Sequence, residues 1–154
     1  MKHWIIPCML SLSLWGGDAT GALHIGGVKE VLAQASKSVS QIQPKALKAL
    51  IDNAEEFYLI DIREPDQLAH GEIFYFNYHA ITRGYLEFQI ENIIPDKKAP
   101  IVVYCCTVKR SLLAARSLKE LGYTNVKSLQ GGIKGWIADG LPLDTTYGEM
   151  VLKK

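Results

Sequence analysis

Residues Ile101–Ser111 read IVVYCCTVKRS. The first four are apolar and β-favouring without alternation, the texture of a strand covered on both faces of a parallel sheet. Two cysteines follow at once, then Lys109 and Arg110. From Ser111 to Leu121, Leu and Ala recur on one helical face until Gly122 stops the pattern. A strand passing through a short loop into a helix belongs to an α/β fold. In such sheets, ligand sites lie beyond the carboxyl ends of the strands. The residue beyond this strand is Cys105.

The same alternation extends in both directions. Val39–Ile42 is a short strand candidate, and Pro44 opens a helix with Leu47, Leu50 and Ile51 on one face. Phe57–Ile62 (FYLIDI) is a second apolar strand. Pro65–Ala69 suggests a short helix, Ile73–Tyr78 is aromatic and extended, and Tyr85–Ile94 has helical spacing. Val126–Leu129 is a further strand, and Ile133–Ala138 a last helical segment before Gly140 and Pro142. Strands interleaved with helices predict an α/β fold with a mostly parallel sheet and helices on both faces.

A chain of 154 residues is about one domain. Its 48% hydrophobic and 21% charged residues exclude a disordered or fibrous protein. Lys plus Arg is 17 and Asp plus Glu is 16, a near-balance that argues against a dedicated nucleic-acid binder. The three cysteines, Cys8, Cys105 and Cys106, are odd in number and badly spaced for a disulfide-stapled domain.

The N-terminus reads as an address. Lys2 precedes the uncharged stretch Trp4–Trp15, about the length of a signal-peptide core and short for a membrane span. Small residues follow at Gly16, Gly17, Ala19, Gly21 and Ala22, and cleavage after Ala19 or Ala22 fits their pattern. A buried N-terminal helix or an uncleaved anchor is the competing reading. The expected organisation is a signal peptide over 1–22, a leader over 23–38 with a helical turn or two in Val28–Ala35, a domain over 39–145 and a tail over 146–154. Cys8 then leaves with the signal. The mature protein is expected to be periplasmic or otherwise exported, with no stable membrane insertion after cleavage.

The chemistry concentrates after Tyr104. A tight loop there aims backbone N–H groups inward, a helix N-terminus adds partial positive charge, and Lys109 and Arg110 add full charges. All three favour the thiolate at Cys105, and the thiolate is the nucleophile. A buried Cys that merely packs after a strand is the plain alternative.

At these residues the chain resembles the rhodanese family. Tyr58–Glu64 (YLIDIRE) is similar to its first signature, and Arg83–Phe88 (RGYLEF) to a segment after its second strand. Tyr104–Ser111 is similar to its active-site loop. Leu121–Val126 (LGYTNV), Gly131–Trp136 and Gly140–Pro142 are similar to its closing signature. The resemblance covers roughly Val39–Leu143. It implies a rhodanese-like three-layer fold with a mostly parallel five-stranded sheet. It further implies a catalytic Cys105 that accepts sulfane sulfur as a persulfide. No cofactor and no metal are expected. The backbone amides from Cys106 through Thr107, Val108 and Lys109 to Arg110 would cradle the substrate, with Arg110 closing the loop. Ser111 either hydrogen-bonds the sulfur or simply fills the first helical turn, and Lys109 either steers an anion or is solvated. The expected donor is thiosulfate or a similar sulfur anion, and the expected acceptor is cyanide or a thiol. A six-residue Cys-to-Arg loop is the length the resemblance associates with sulfur transfer. Related phosphatases and arsenate reductases have a longer one. A non-catalytic binding or sulfur-carrier module is the alternative function.

Three departures stand out. Val108 replaces a common Gly, and a β-branched residue is costly at positive φ. Gly71–Asn77 (GEIFYFN) carries aromatics where the family has small residues, either as core packing or as an aromatic wall at the site. Cys106 lies beside the proposed nucleophile, either as a small loop residue or as a thiol that attacks a Cys105 persulfide. A direct disulfide between neighbours is strained. Asp61 and Arg63 read as structural supports that anchor their loop by hydrogen bonds, and Trp136 as packing. His70 and His79 lack metal-site spacing, and Gly131–Gly132 lacks a phosphate-loop pattern.

Overall fold

The computed structural model describes residues 27–152. The proposed signal peptide and Cys8 lie outside them. The elements run α1 (Val28–Ser38), β1 (Ser40–Ile42), α2 (Pro44–Asp52), β2 (Tyr58–Asp61), α3 (Pro65–Leu68) and β3 (Tyr78–Ala80). A 3-10 turn at Arg83–Tyr85 leads into α4 (Leu86–Ile93), followed by β4 (Ile101–Tyr104), α5 (Lys109–Glu120), β5 (Val126–Leu129) and α6 (Gly132–Ala138). A hairpin of β6 (Leu143–Thr145) and β7 (Gly148–Met150) ends the described chain.

Five strands form one sheet in the order β1-β5-β4-β2-β3, and every pairing in it is parallel. This is the doubly covered α/β sheet that the alternation predicts. The central strand β4 is buried at all four residues, as its unbroken apolar run requires. Alternation along the strands divides the core in two. Ile60, Ile101, Val103 and Cys105 face the cluster that includes Leu112, Ala115 and Leu118 of α5 and Ile90 of α4. Leu59, Val102 and Tyr104 face the other cluster, with Leu47 of α2 and Ile133 and Trp136 of α6. Trp136 is fully buried, and its indole N–H donates to the Pro142 carbonyl at 2.7 Å.

Several details differ from the sequence reading. Residues 28–38 make a full helix, not a turn or two, because α1 packs Ala35 against the core that α5 also lines. The third strand falls at Tyr78–Ala80 rather than at Ile73–Tyr78. The aromatic stretch is tied down instead by a single antiparallel bridge between Glu72 and Asp144. Within it Ile73 and Tyr75 are buried while Phe74 and Phe76 are exposed, so it serves both as core and as surface. The helix α5 begins at Lys109, two residues before the expected start, and so Lys109, Arg110 and Ser111 form its first turn. The hairpin carries ordered structure past residue 145. Among the described residues no helix is long and apolar enough to cross a membrane.

Candidate active site

The loop from Cys105 to Val108 joins β4 to α5. Val108 caps the helix at φ −145°, outside the left-handed region, so its branched side chain is tolerated where the family resemblance expects Gly. It packs against the α5-side core.

The shape of the loop is set from below by α6. The backbone N–H of Ile133 donates to the Cys105 carbonyl at 2.9 Å, and that of Lys134 to the Cys106 carbonyl at 3.1 Å. This close approach depends on Gly132, at φ +58°. A Cβ there would lie 1.9 Å from the Thr107 carbonyl oxygen and 2.4 Å from that of Cys105. In a trans peptide the C=O and the next N–H point in opposite directions. Drawing the Cys105 and Cys106 carbonyls toward α6 therefore turns the N–H groups of Cys106 and Thr107 away from it. Among the described residues, no backbone carbonyl accepts from the N–H of Cys106, Thr107 or Val108. The first turn of α5 leaves the N–H groups of Lys109–Ser111 without intrahelical partners as well. The loop thus collects main-chain donors of the kind that hold an anion.

Cys105 is 1% exposed. Its thiol lies 3.6 Å from the Ser111 hydroxyl oxygen. Ser111 in turn donates to the Val108 carbonyl at 3.0 Å and pairs with Ser128 at 2.8 Å. Both serines are buried, so this small network fixes the floor of the loop. Thr107 and Lys109 are exposed. Cys106 is half-buried and lies on the other side, bordering a cavity of about 400 Å³ with Gln67, Lys134 and Ile137.

Arg110 turns toward Cys106. One terminal nitrogen donates to Gln67 Oε1 at 2.7 Å and lies 3.3 Å from Cys106 Sγ, and the other is 3.6 Å from a Glu64 carboxylate oxygen. Gln67 also accepts the Glu64 N–H, completing the capping box of α3. The sequence reading passed over Gln67. Its only local signal was the spacing Glu64-x-x-Gln67 after a strand.

Asp61 and Arg63 stand behind this arrangement, at the end of β2. Both are almost fully buried. Arg63 meets the Asp61 carboxylate through Nε at 2.8 Å and a terminal nitrogen at 2.6 Å. Its remaining donors reach the Gln67 carbonyl at 3.0 Å and the Gly71 carbonyl at 2.8 Å, which hold the C-terminal side of α3 and the turn that follows it. Burial alone works against the guanidinium charge, but hydrogen bonding and charge attraction from Asp61 outweigh it and raise its pKa further. Tyr104 stacks near this guanidinium, at 5.6 Å from its ring centre. Burial, reinforced by the Asp61 charge, pushes the Tyr104 hydroxyl well above its ordinary range. It therefore stays neutral and accepts the Ile73 N–H at 3.3 Å. Among the described residues no group of three or more metal-ligating side chains gathers.

A parallel sheet with helices on both faces carries a cysteine loop at the carboxyl end of its central strand, which defines an α/β domain with its candidate site at that strand end. A family model, the Rhodanese-like domain, matches residues 43–139, and the chain belongs to that family as a rhodanese-like transferase. It is 32% identical over 109 residues to the thiosulfate sulfurtransferase GlpE of Actinobacillus succinogenes, covering 71% of this chain and 94% of that protein. Among solved structures, the polysulfide-sulfur transferase homodimer of Wolinella succinogenes is 33% identical with a TM-score of 0.65, covering 75% of this chain and 85% of that one. A Rhodopseudomonas palustris protein described as a possible tyrosine phosphatase is 29% identical with a TM-score of 0.70, covering 77% and 95%.

Proposed function

We propose that the chain is an exported sulfurtransferase that moves sulfane sulfur from thiosulfate or a similar donor to a thiophilic acceptor through a persulfide on Cys105. The observation that carries this reading is the loop itself. The Cys105 and Cys106 carbonyls are engaged by α6, the N–H groups of Cys106, Thr107 and Val108 meet no backbone carbonyl among the described residues, and a helix start with Arg110 follows within six residues of Cys105. Membership of the rhodanese family and likeness to named sulfurtransferases support it. Export rests on the N-terminal stretch, which lies outside the described residues.

In the first half-reaction the Cys105 thiolate attacks the outer sulfur of thiosulfate. A bond forms between the two sulfurs, the bond to the sulfonate sulfur breaks, and sulfite leaves. The persulfide anion would be held by main-chain donors and the positive end of α5. Its burial beside Ser111 shields it from solvent. In the second half-reaction cyanide or a thiol attacks the outer sulfur and returns the thiolate. This is covalent, double-displacement catalysis. Thr107, Val108 and Lys109 contribute backbone to the cradle, and Asp61 and Arg63 hold the neighbouring turn.

The test is steady-state kinetics with thiosulfate and cyanide, measured as thiocyanate formed. The expected result is parallel double-reciprocal lines and no turnover of an aryl phosphate. A phosphatase is the second reading, favoured by the likeness to the R. palustris protein and opposed by the short loop. Phosphate-ester hydrolysis without thiocyanate formation would reverse the order. Thiosulfate binding without turnover would make the chain a non-catalytic module.

A further inference from the structure

The alternation that buries Cys105 beneath α5 puts Cys106 on the opposite side, at the cavity between α3 and α6. The two thiols therefore face different surroundings. The loop's only arginine is held at Cys106 by Gln67 and Glu64, with 3.3 Å between Arg110 and Cys106 Sγ. The exposed Lys134 also lines the cavity. Asp66 is the acidic group on its rim, and the charge of Arg63 is neutralised by Asp61. Cys106 and Gln67 line this cavity of about 400 Å³, and the Arg110 guanidinium, paired with Glu64, reaches its edge through both of them.

We propose that Cys106 is a second sulfur-accepting thiol, loaded by an anionic sulfane donor that Arg110 anchors in this cavity. The proposal rests on the reading of the chain as a sulfurtransferase for such donors. The Cys106 thiolate attacks the sulfane atom of thiosulfate, and its proton goes to solvent. A sulfur–sulfur bond forms at Cys106, the bond to the sulfonate sulfur breaks with its electron pair, and sulfite leaves. The sulfur keeps its oxidation level, so no oxidant or reductant is required. Arg110 faces the sulfonate as it arrives and the persulfide anion afterwards. Gln67 is a positioning residue that acts through Arg110.

The test is the intact mass of the protein after incubation with thiosulfate and removal of the excess. Wild type is expected to gain two sulfurs, Cys105→Ser one, Cys106→Ser one, and the double variant none. A wild type that gains a single sulfur, kept by Cys106→Ser and lost by Cys105→Ser, would overturn the proposal and leave the sulfurtransferase reading intact. A wild type that gains none would overturn both. In the Cys105→Ser background, Gln67→Leu should slow uptake about ten-fold at low thiosulfate, as expected for the loss of one charge-assisted hydrogen bond. Gln67→Asn, which keeps an uncharged amide acceptor for Arg110, should restore part of the rate. Equal rates in all three would show that Arg110 is not held for this purpose, against the proposal.

Discussion

Gly132→Ala will abolish sulfur transfer and lower stability by about 3–5 kcal/mol, the sum of a left-handed backbone penalty, a main-chain clash and two lost hydrogen bonds. The added Cβ would sit 1.9 Å from the Thr107 carbonyl oxygen and 2.6 Å from its carbon. Both are backbone atoms, so no side chain can swing aside. The start of α6 must withdraw, which breaks the bonds from Ile133 and Lys134 to the loop carbonyls. Without those bonds nothing turns the Cys106 and Thr107 N–H groups away from α6, and the anion cradle loses its shape. A matched control isolates the backbone term. Gly140 also has positive φ, +71°, but nothing lies within 4 Å of a Cβ built there. Gly140→Ala should cost only about 1 kcal/mol and leave thiocyanate formation intact. Denaturant midpoints and turnover of the two variants would decide it. Equal, mild effects at both glycines would refute the role given to Gly132.

Asp61→Ala will cost about 3–5 kcal/mol, the usual penalty for stranding a buried charge. Arg63 is 2% exposed, and a guanidinium is too basic to answer removal of its partner by losing a proton. The carbonyls of Gln67 and Gly71 remain as acceptors, but they are neutral. Stability in chemical denaturant should therefore fall sharply. Because the stranded charge is the main cost, Asp61→Leu combined with Arg63→Met should recover a large part of the loss. The double variant should still lose activity, since α3 is then no longer tied to β2 and Gln67 loses its fixed position. A double variant no more stable than Asp61→Ala would mean that geometry, rather than charge, dominates.

How much of this was legible in the sequence depends on how local each cause is. The strand at Ile101–Tyr104 was readable because burial on both faces leaves an unbroken apolar run, and Phe57–Ile62 because its run is β-favouring and broken only by Asp61. The helix after the loop was readable from its Leu and Ala spacing. The cysteine loop stood out for the same reason, as a sharp change of chemistry at the end of the most apolar strand. The strand Tyr78–Ala80 was not readable. It is three residues long and only partly buried, and its β structure comes from pairing with β2. The bridge of Glu72 to Asp144 joins distant parts of the chain, and β7 is exposed at every residue, so no apolar alternation announces its hairpin with β6. The role of Gly132 was hidden because the atoms that exclude a Cβ belong to residues 105–107, far away in the chain. The direction of Arg110 was equally hidden. A loop arginine next to two cysteines gives no hint of which one it faces, and Gln67 and Glu64, some forty residues earlier, settle it.

The most direct test of the account is the mass of the Cys106→Ser protein, which leaves Cys105 as the one thiol among the described residues. It should gain one sulfur from thiosulfate, release one equivalent of sulfite, and return to its starting mass on addition of cyanide. Adding Cys105→Ala to the same protein should abolish all three changes. A Cys106→Ser protein that gains no sulfur, or one that still gains it after Cys105→Ala, would contradict a persulfide on Cys105.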